Sequence, residues 1–591
     1  MSDTMKVAAA IDLGTHGSGY GWAVIDPINH DPRTRRIQFQ DRWEGFAVAY
    51  PKNLSAVATD AAGQVRFWGF EARREWNGRG KDSPLTGYAY AFKMALGPGH
   101  GDDMPHAEGD LDLSAEGVLE TVFTQYLEKL YQHALKEITD AGFPARQIRW
   151  CITVPAIWSQ ADRDFTRAAA IRAGFPDDDA RLLMIAEPEA AAIYCRSQLA
   201  VLAEAASHLS TADLEKARFM VVDGGGGTVD ITSYRSMPAK TGGFRLAELG
   251  KVTGGKLGSE YVNHAFLVDL LEKRFGPDVL AAIARQAPRE LARMEEAWES
   301  AKVRLGVRTD QDGEPRISRD ITIDIPAKIW AMLPADRQRE QEAACDGEPY
   351  QIVVSSSEAQ ALLDTVVAPA LEKIADQLAE MRANSGHSGG ELLLLVGGFA
   401  RSEYLRAAVQ NRFGEETSLL TPPDPAVAVL FGAVSFCYDP SVLWARRAGL
   451  TYGVAMAMPF EDGVDPLEKN FRDEEGVRYC AQRFAIAVRA REQVEVDEPF
   501  LMVTAPVLRS QPTVQVTLYA TRKLDPRYVD EPGCSQLASI EVDLSDSVGR
   551  PDDERTVKIL LYFGRTIIDV EAEVVSTGEK VKARTTFTPL H

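Results

Sequence analysis

Two short apolar runs in this chain each end in an aspartate followed by a glycine-rich turn. That repeated device constrains the fold more than any other feature. The first is Val7-Ala-Ala-Ala-Ile11 running into Asp12-Leu13-Gly14-Thr15-His16-Gly17. The second is Phe219-Met-Val-Val222 running into Asp223-Gly224-Gly225-Gly226-Gly227-Thr228-Val229-Asp230. Each apolar run reads as a buried strand. Alternating residues resume over Gly21–Ile25 and Ile231–Tyr234, which predicts β-hairpins, whereas a dinucleotide-binding unit would continue into a helix. Aspartates 12 and 223 stand a whole lobe apart, so the pattern predicts a duplicated α/β lobe, each copy presenting one hairpin to a shared cleft.

A glycine turn after a buried strand lets backbone N–H groups approach anionic oxygens closely, which is what a phosphate needs. An aspartate at the strand end can hold Mg²⁺ through its waters, because that ion keeps much of its hydration shell. One such turn is weak evidence, since any hairpin can use glycine. Two of one type point to a shared phosphate and metal site. A third strand and turn, Leu392-Leu-Leu-Leu-Val396-Gly397-Gly398-Phe399-Ala400-Arg401, permits close approach to a flat ligand such as a nucleoside, or is simply a tight strand-to-helix turn. Gly250-Lys-Val-Thr-Gly-Gly255-Lys256 nearly matches a P-loop. Leu257 stands where a Ser or Thr must reach the metal, so the match fails and the stretch reads as a loop.

Helical segments are predicted at 117–138, 160–173, 261–275, 289–305 and 358–382, with polar loops at 97–110, 309–315 and 384–390, the last a mobile tip. Beyond about residue 447 the period becomes two. Val514, Val516 and Leu518 alternate, as do Ile540, Val542 and Leu544, then Ile568, Val570, Ala572 and Val574, then Val581, Ala583, Thr585 and Phe587. Successive short runs of that kind predict an antiparallel β domain with no long helix after it.

Composition narrows the partners. Among 591 residues, 65 Lys and Arg face 86 Asp and Glu, a formal charge of −21. Such a surface repels phosphate backbones, which argues against nucleic acid and anionic membranes. The six cysteines are never paired as CxxC, so neither a zinc site nor a disulfide scaffold is expected. The amino terminus reaches the first turn before any signal-peptide core, and the longest aliphatic run, Leu392–Val396, is far short of a membrane span. The expectation is a reduced, cytoplasmic protein without membrane insertion.

The three turns, in this order, resemble the phosphate-1, phosphate-2 and adenosine motifs of the actin, hexokinase and heat-shock-chaperone ATPase superfamily. Ile185-Ala-Glu187-Pro188-Glu-Ala190-Ala-Ala192 resembles the connecting motif of its DnaK-like, seventy-kilodalton heat-shock branch. Residues 439–454 are similar to the divergent member-12 subgroup, which lacks the usual helical lid. The resemblance implies a two-lobed, actin-like (duplicated ribonuclease H-like) α/β ATPase domain over 1–440, with lobe I as 1–215 plus 422–440 and lobe II as 216–421. It further implies a linker and first strand at 441–454, then an antiparallel β-sandwich-like domain over 455–591 for a protein client.

It also implies roles. Asp12 and Asp223 would hold hydrated Mg²⁺. Gly14, Thr15, His16, Gly224, Gly225, Gly226, Gly227 and Thr228 would cradle the phosphates of ATP or ADP. Glu187 would position metal-bound water, and Asp230 with Thr228 would lie near the attacking water. Glu299 and Lys302, on one helix face, would meet the nucleoside with Gly397, Gly398, Arg401 and Asp424. The alternative for Glu299 and Lys302 is a solvated helical pair. The lysine that orients the attacking water in typical chaperones aligns with Arg73, which keeps the charge but not the shape. Val303 stands at the adenine-stacking position and Phe399 beside the purine. Three functions therefore stay open: a slow ATP-hydrolysing switch coupled to a protein partner, a nucleotide-binding scaffold with little turnover, and a small-molecule kinase of the same fold. ATP-dependent proteolysis near 440–455 favours the first, and metabolite-dependent ADP production the last.

Overall fold

The computed structural model describes residues 5–26, 28, 35–80, 82–96, 106–205, 217–239, 244–385, 391–496, 498–563 and 567–586. The chain divides into two compact units, residues 1–244 with 253–440 and residues 245–252 with 441–591.

In the first unit, two sheets are built on one plan. Val7–Asp12 and Gly17–Val24 form an antiparallel hairpin, Ile148–Val154 runs parallel beside the first of them, and Leu182–Ala186 lies parallel beyond it. The second sheet repeats this with the hairpin Arg218–Gly224 and Val229–Pro238, then Glu391–Val396 and Thr417–Leu420 in parallel. Both strands that carry the aspartates are central and fully buried, which is why they are continuous apolar runs and not alternating ones. Each sheet thus ends its central strand in one of the two glycine turns.

Helices follow from apolar spacing. Val118–Asp140 buries Val122, Phe123, Tyr126, Leu127, Leu130, Tyr131, Ala134 and Ile138, one stripe at three- and four-residue intervals. Those residues join Trp150, Ile152 and Phe175 in the core of the first lobe. Gln160–Arg172 starts at a reciprocal cap between Ser159 and Asp162. Ala428–Tyr438 lies so close to Glu187–Ala205 that a Cβ on Gly432 would stand 1.7 Å from the Ala190 carbonyl oxygen.

Several boundaries differ from the sequence reading. The helix expected from Tyr261 begins at Ser259, where Gly258 supplies the entry, and it widens to a π-turn over Phe266–Leu271. The helix expected to reach Leu305 ends at Lys302. Thr253–Gly255, read as loop, is a strand paired to Val229–Ile231. In the stretch read as a polar loop at 97–110, His106–Gly109 is a strand paired with Leu85–Tyr90, and 97–105 lie outside the described residues. The helix Ser356–Ser385 runs into the expected mobile tip, of which 386–390 lie outside the described residues.

The second unit holds a five-stranded and a four-stranded sheet, with every recorded pairing within them antiparallel. They bury a common core that includes Tyr452, Leu518, Val542, Leu561, Ile568 and Val570. Leu443–Arg447, within the stretch expected to hold the linker and first strand, is a strand pairing parallel to Leu246–Ala247 and antiparallel to Gln493–Glu495. That pairing explains why 245–252, assigned from sequence to lobe II, group with the second unit. Phe587 lies outside the described residues. Among the described residues this unit has 3₁₀ turns but no α-helix, and no helix of the chain is long and apolar enough to cross a membrane.

A buried carboxylate organises one end of this unit. Asp465 accepts from Tyr528 Oη at 2.7 Å and the Glu461 amide at 2.8 Å, and pairs with Arg527 at 2.9 Å and Arg483 at 3.1 Å. Burial alone would raise its pKa, but these donors and cations together hold it well below the usual carboxylate range. A depressed acid stabilises above its ordinary pKa and loses that contribution as pH falls. Asp465→Asn is expected to cost about 3 kcal/mol in denaturant unfolding at pH 7, the low end for a broken buried pair because Arg527 is partly exposed. The gap from wild type should narrow below about pH 4.

Candidate functional site

The two glycine turns of the first unit meet edge to edge. A Cβ on Gly227 would stand 2.6 Å from Thr15 Oγ1, and one on Gly226 would stand 3.2 Å from the His16 Cβ. Only bare backbone permits that approach. The second turn is held from behind by the start of the helix Ser259–Ala265. The Gly258, Ser259 and Glu260 amides donate to the carbonyls of Gly227, Gly225 and Gly226 at 3.2, 3.1 and 2.9 Å. The Gly225 amide is spent inside the turn on Thr228 O at 2.9 Å, which leaves the Gly226, Gly227 and Thr228 amides to offer to an anion. The third turn closes the group. Gly397 has φ +85°, its amide donates to Pro425 O at 2.9 Å, and a Cβ there would lie 2.4 Å from Asp223 Oδ1.

Around these turns lies a cavity of ≈ 1120 Å³ lined by residues of all three turns, by Lys52, Lys93 and Glu187, and by the helix carrying Glu295 and Glu299. Asp12 and Asp223 line it and are buried, and Asp230, also buried, stands opposite Asp223 on the paired strand. Asp12 Oδ1 accepts from Thr153 Oγ1 at 3.1 Å, and that hydroxyl also accepts the Leu13 amide at 3.2 Å. Asp223 titrates far above the usual carboxylate range, chiefly through burial and then through the nearby charges of Glu187, Asp230 and Asp12. Asp230 is raised by burial, against the hydrogen bond it accepts from Thr228. Glu187 is pushed up to about 6 by burial, with Lys93 opposing and Asp12 and Asp230 reinforcing. Four carboxylates against two ammonium groups form a pocket that a further cation would relieve. Among the described residues no group of three or more His, Cys, Asp or Glu is arranged to hold a metal directly. Two aspartates with water between them and the ion fit a hydrated Mg²⁺ better than direct ligation.

The lysine beside Glu187 is not where the sequence alignment put its counterpart. Arg73 has Glu296 3.5 Å away, its guanidinium lies 5.0 Å over the Tyr90 ring, and Tyr88 adds to its charge stabilisation. The cation bonded to Glu187 is Lys93, which also donates to Leu13 O at 2.6 Å and is only 4% exposed. Lys93 follows Ala91, whose left-handed φ of +53° turns the chain out of the strand Leu85–Tyr90. Its signal in sequence was a single lysine inside the aromatic, apolar run Tyr88–Leu96.

Glu299 and Lys302 are also placed differently from a solvated pair. The Lys302 ammonium donates to Ser259 O at 2.9 Å and Asn263 Oδ1 at 2.8 Å and pairs with Glu299 at 2.5 Å. Its donors are spent on tying two helices together, while Glu299 accepts from Asn263 Nδ2 at 2.8 Å. His16 faces Glu260 Oε1 at 2.8 Å, with the Tyr90 hydroxyl 2.5 Å from both. Tyr90, Glu260 and Asn263 were missed because only the tertiary fold brings them to the first turn. Arg401 and Asp424 lie at the rim, 4.0 Å apart and half exposed, and Asp424 accepts the Ala426 amide at 3.2 Å. Val303 is exposed on the cavity wall, whereas Phe399 is buried against Gly224.

With both turns, the acidic base and the Glu187–Lys93 pair in one cleft, comparison with known proteins becomes specific. Mouse heat shock 70 kDa protein 12A is 28% identical over 99% of this chain and 92% of its own length. Human heat shock 70 kDa protein 12B is 29% identical over 99% and 91%. The chain is a homologue of these heat shock proteins. Chaperone protein DnaK 3 of Synechococcus sp. is 28% identical over 51% of the chain and 39% of its own length. No family model matches. Homology to the heat-shock-70 proteins implies an actin-like ATPase fold, and the first unit is mixed α/β.

Gly397→Ala tests the packing of the three turns. The left-handed φ and the 2.4 Å approach to Asp223 leave no room for a methyl group, so unfolding by heat or denaturant should show a loss of about 1–3 kcal/mol.

Proposed function

We propose that this chain is a slow, Mg²⁺-dependent ATP-hydrolysing switch of chaperone type, in which the β-rich unit binds a protein partner according to nucleotide state. The reading rests above all on the meeting of two aspartate–glycine turns at one acidic cleft, supported by near-full-length similarity to the heat-shock-12 proteins. The Gly226–Thr228 amides and the Thr15 hydroxyl bind the phosphates, and Asp12 and Asp223 hold the hydrated metal. When bound, Mg²⁺ would neutralise charge that develops on the phosphate oxygens. Asp230 and Thr228 accept hydrogen bonds from the attacking water and align it. Lys93, fixed by Leu13 O and Glu187, supplies positive charge where the transition state becomes more negative. Arg401, Asp424, Gly397 and Gly398 shape the nucleoside side, with Glu299 positioned by Asn263. The two-sheet second unit, whose described residues form no α-helix, is the partner-binding part.

Lys93 bears on the competing reading of a scaffold without turnover. That reading drew on Arg73, Val303 and Phe399, and a lysine bonded to Glu187 weighs against the part of it that rested on Arg73. Phosphate release from Mg–ATP at near-stoichiometric protein is expected to be slow, and Lys93→Met or Glu187→Gln should lower it by about 100-fold or more. Arg73→Met should leave it within about threefold. Nucleotide binding with no release in the wild type would leave a sensor or scaffold.

A further inference from the structure

A second lysine in the cleft has no part in the scheme above. Lys52 Nζ lies 2.6 Å from Asp12 Oδ2, with the lysine side chain 15% exposed and the aspartate 2%. The contact is built from the backbone upward. Asn53–Leu54 pairs with Gly17–Ser18 of the first hairpin, which fixes the chain next to Lys52. Asn53 Oδ1 accepts the Leu54 and Phe70 amides, both at 2.9 Å, and so anchors the segment a second time. Gly17 and Gly19 leave the surface on which the lysine stem lies. A Cβ on Gly17 would come 3.3 Å from the Lys52 Cβ, and one on Gly19 would come 3.4 Å from its Cγ and 2.5 Å from Pro51 O. The hairpin therefore carries glycine at two positions that face this lysine and not the opposite turn.

The ammonium reaches the same carboxylate that the hydrated metal would use, and Asp223 also attracts it. Burial pulls the Lys52 pKa down, but the combined attraction of Asp12, Tyr50 and Asp223 outweighs it. Lys93 stands on the other side of the first turn, on Leu13 O and Glu187, and its charge is already engaged. Lys52 has no carboxylate other than Asp12 within ion-pair distance among the described contacts.

We propose that Lys52 is a resident cation at the metal position: it neutralises Asp12 in the free cleft and turns to the phosphates when nucleotide enters, so that nucleotide retention depends less on a divalent metal. This rests on the reading of the cleft as a nucleotide site. An ammonium on a four-carbon stem suits the role, because it is a compact charge that swings between a carboxylate and a phosphate oxygen without losing its tether. It offers a phosphate point-charge neutralisation without metal geometry.

The test measures ATP affinity of the full-length protein by calorimetry, with Mg²⁺ and in excess EDTA, for wild type, Lys52→Gln and Lys52→Arg. Gln keeps a hydrogen-bond donor to Asp12 without the charge, and Arg keeps the charge. Wild type should lose no more than about tenfold in affinity when the metal is removed, whereas Lys52→Gln should lose a further ~10–100-fold, the worth of one charge-assisted contact. With Mg²⁺ present the two should agree within about threefold, and Lys52→Arg should restore much of the metal-free binding. Thermal melting without nucleotide gives an independent readout. Mg²⁺ alone should stabilise Lys52→Gln, whose Asp12 lacks its cation, more than wild type. Equal losses in EDTA for wild type and Lys52→Gln would overturn the proposal, as would loss of all wild-type binding without metal, an outcome that needs no variant. If wild type binds no ATP in either medium, the nucleotide-site reading itself fails, and this inference with it.

Discussion

Everything at this site depends on two stretches of backbone coming closer than side chains allow. The Gly226–Gly227 segment meets Thr15 and His16 at distances a methyl group would already violate. That contact sets the spacing of the hairpins, and the hairpins set where Asp12 and Asp223 stand, because each aspartate sits at or beside the end of its strand in register with a residue of the partner strand, Gly19 in one case and Asp230 in the other. Gly397 extends the same logic to the third turn, against Asp223 itself. The cleft is thus specified by the absence of side chains at a few positions more than by the presence of any one.

Charge is the second constraint. Desolvating Asp12, Glu187, Asp223 and Asp230 together is unfavourable, and the raised pKa values of Glu187, Asp223 and Asp230 record that strain. Two lysines offset part of it from different directions, Lys93 through Glu187 and Lys52 through Asp12. A site that is acidic, buried and undercompensated is suited to a metal–polyphosphate complex, whose cation relieves the carboxylates while its anion meets the turn amides. Strain of this kind is characteristic of functional sites, where local stability is given up for chemistry.

The turns were legible in the sequence because they are local. A buried strand, an aspartate and glycines within ten residues carry their meaning without the rest of the chain. Glu187 was legible through its motif and homology alone. The cations were not. Lys93 and Lys52 are single residues whose partners lie far along the chain, and nothing in Phe92-Lys93-Met94 or Pro51-Lys52-Asn53 says which carboxylate each will meet. The sequence reading gave a catalytic cation to Arg73, whereas the cation bonded to Glu187 is Lys93, brought there by the left-handed turn at Ala91. Lys302 reads as a surface residue by charge and spacing, yet it is buried because Ser259 and Asn263 arrive from another helix. In the β-rich unit the period-two pattern marked the strands, while Leu443–Arg447 escaped it because a strand with neighbours on both edges here is built from mixed residues.

The central claim, that both aspartate–glycine turns grip one nucleotide, is tested most directly by a crystal structure of the protein with Mg²⁺ and a non-hydrolysable ATP analogue. The account predicts the phosphates on the Gly226–Thr228 amides and Thr15, with the metal held through water by Asp12 and Asp223. Density for the analogue on only one turn, or elsewhere on the molecule, would contradict it.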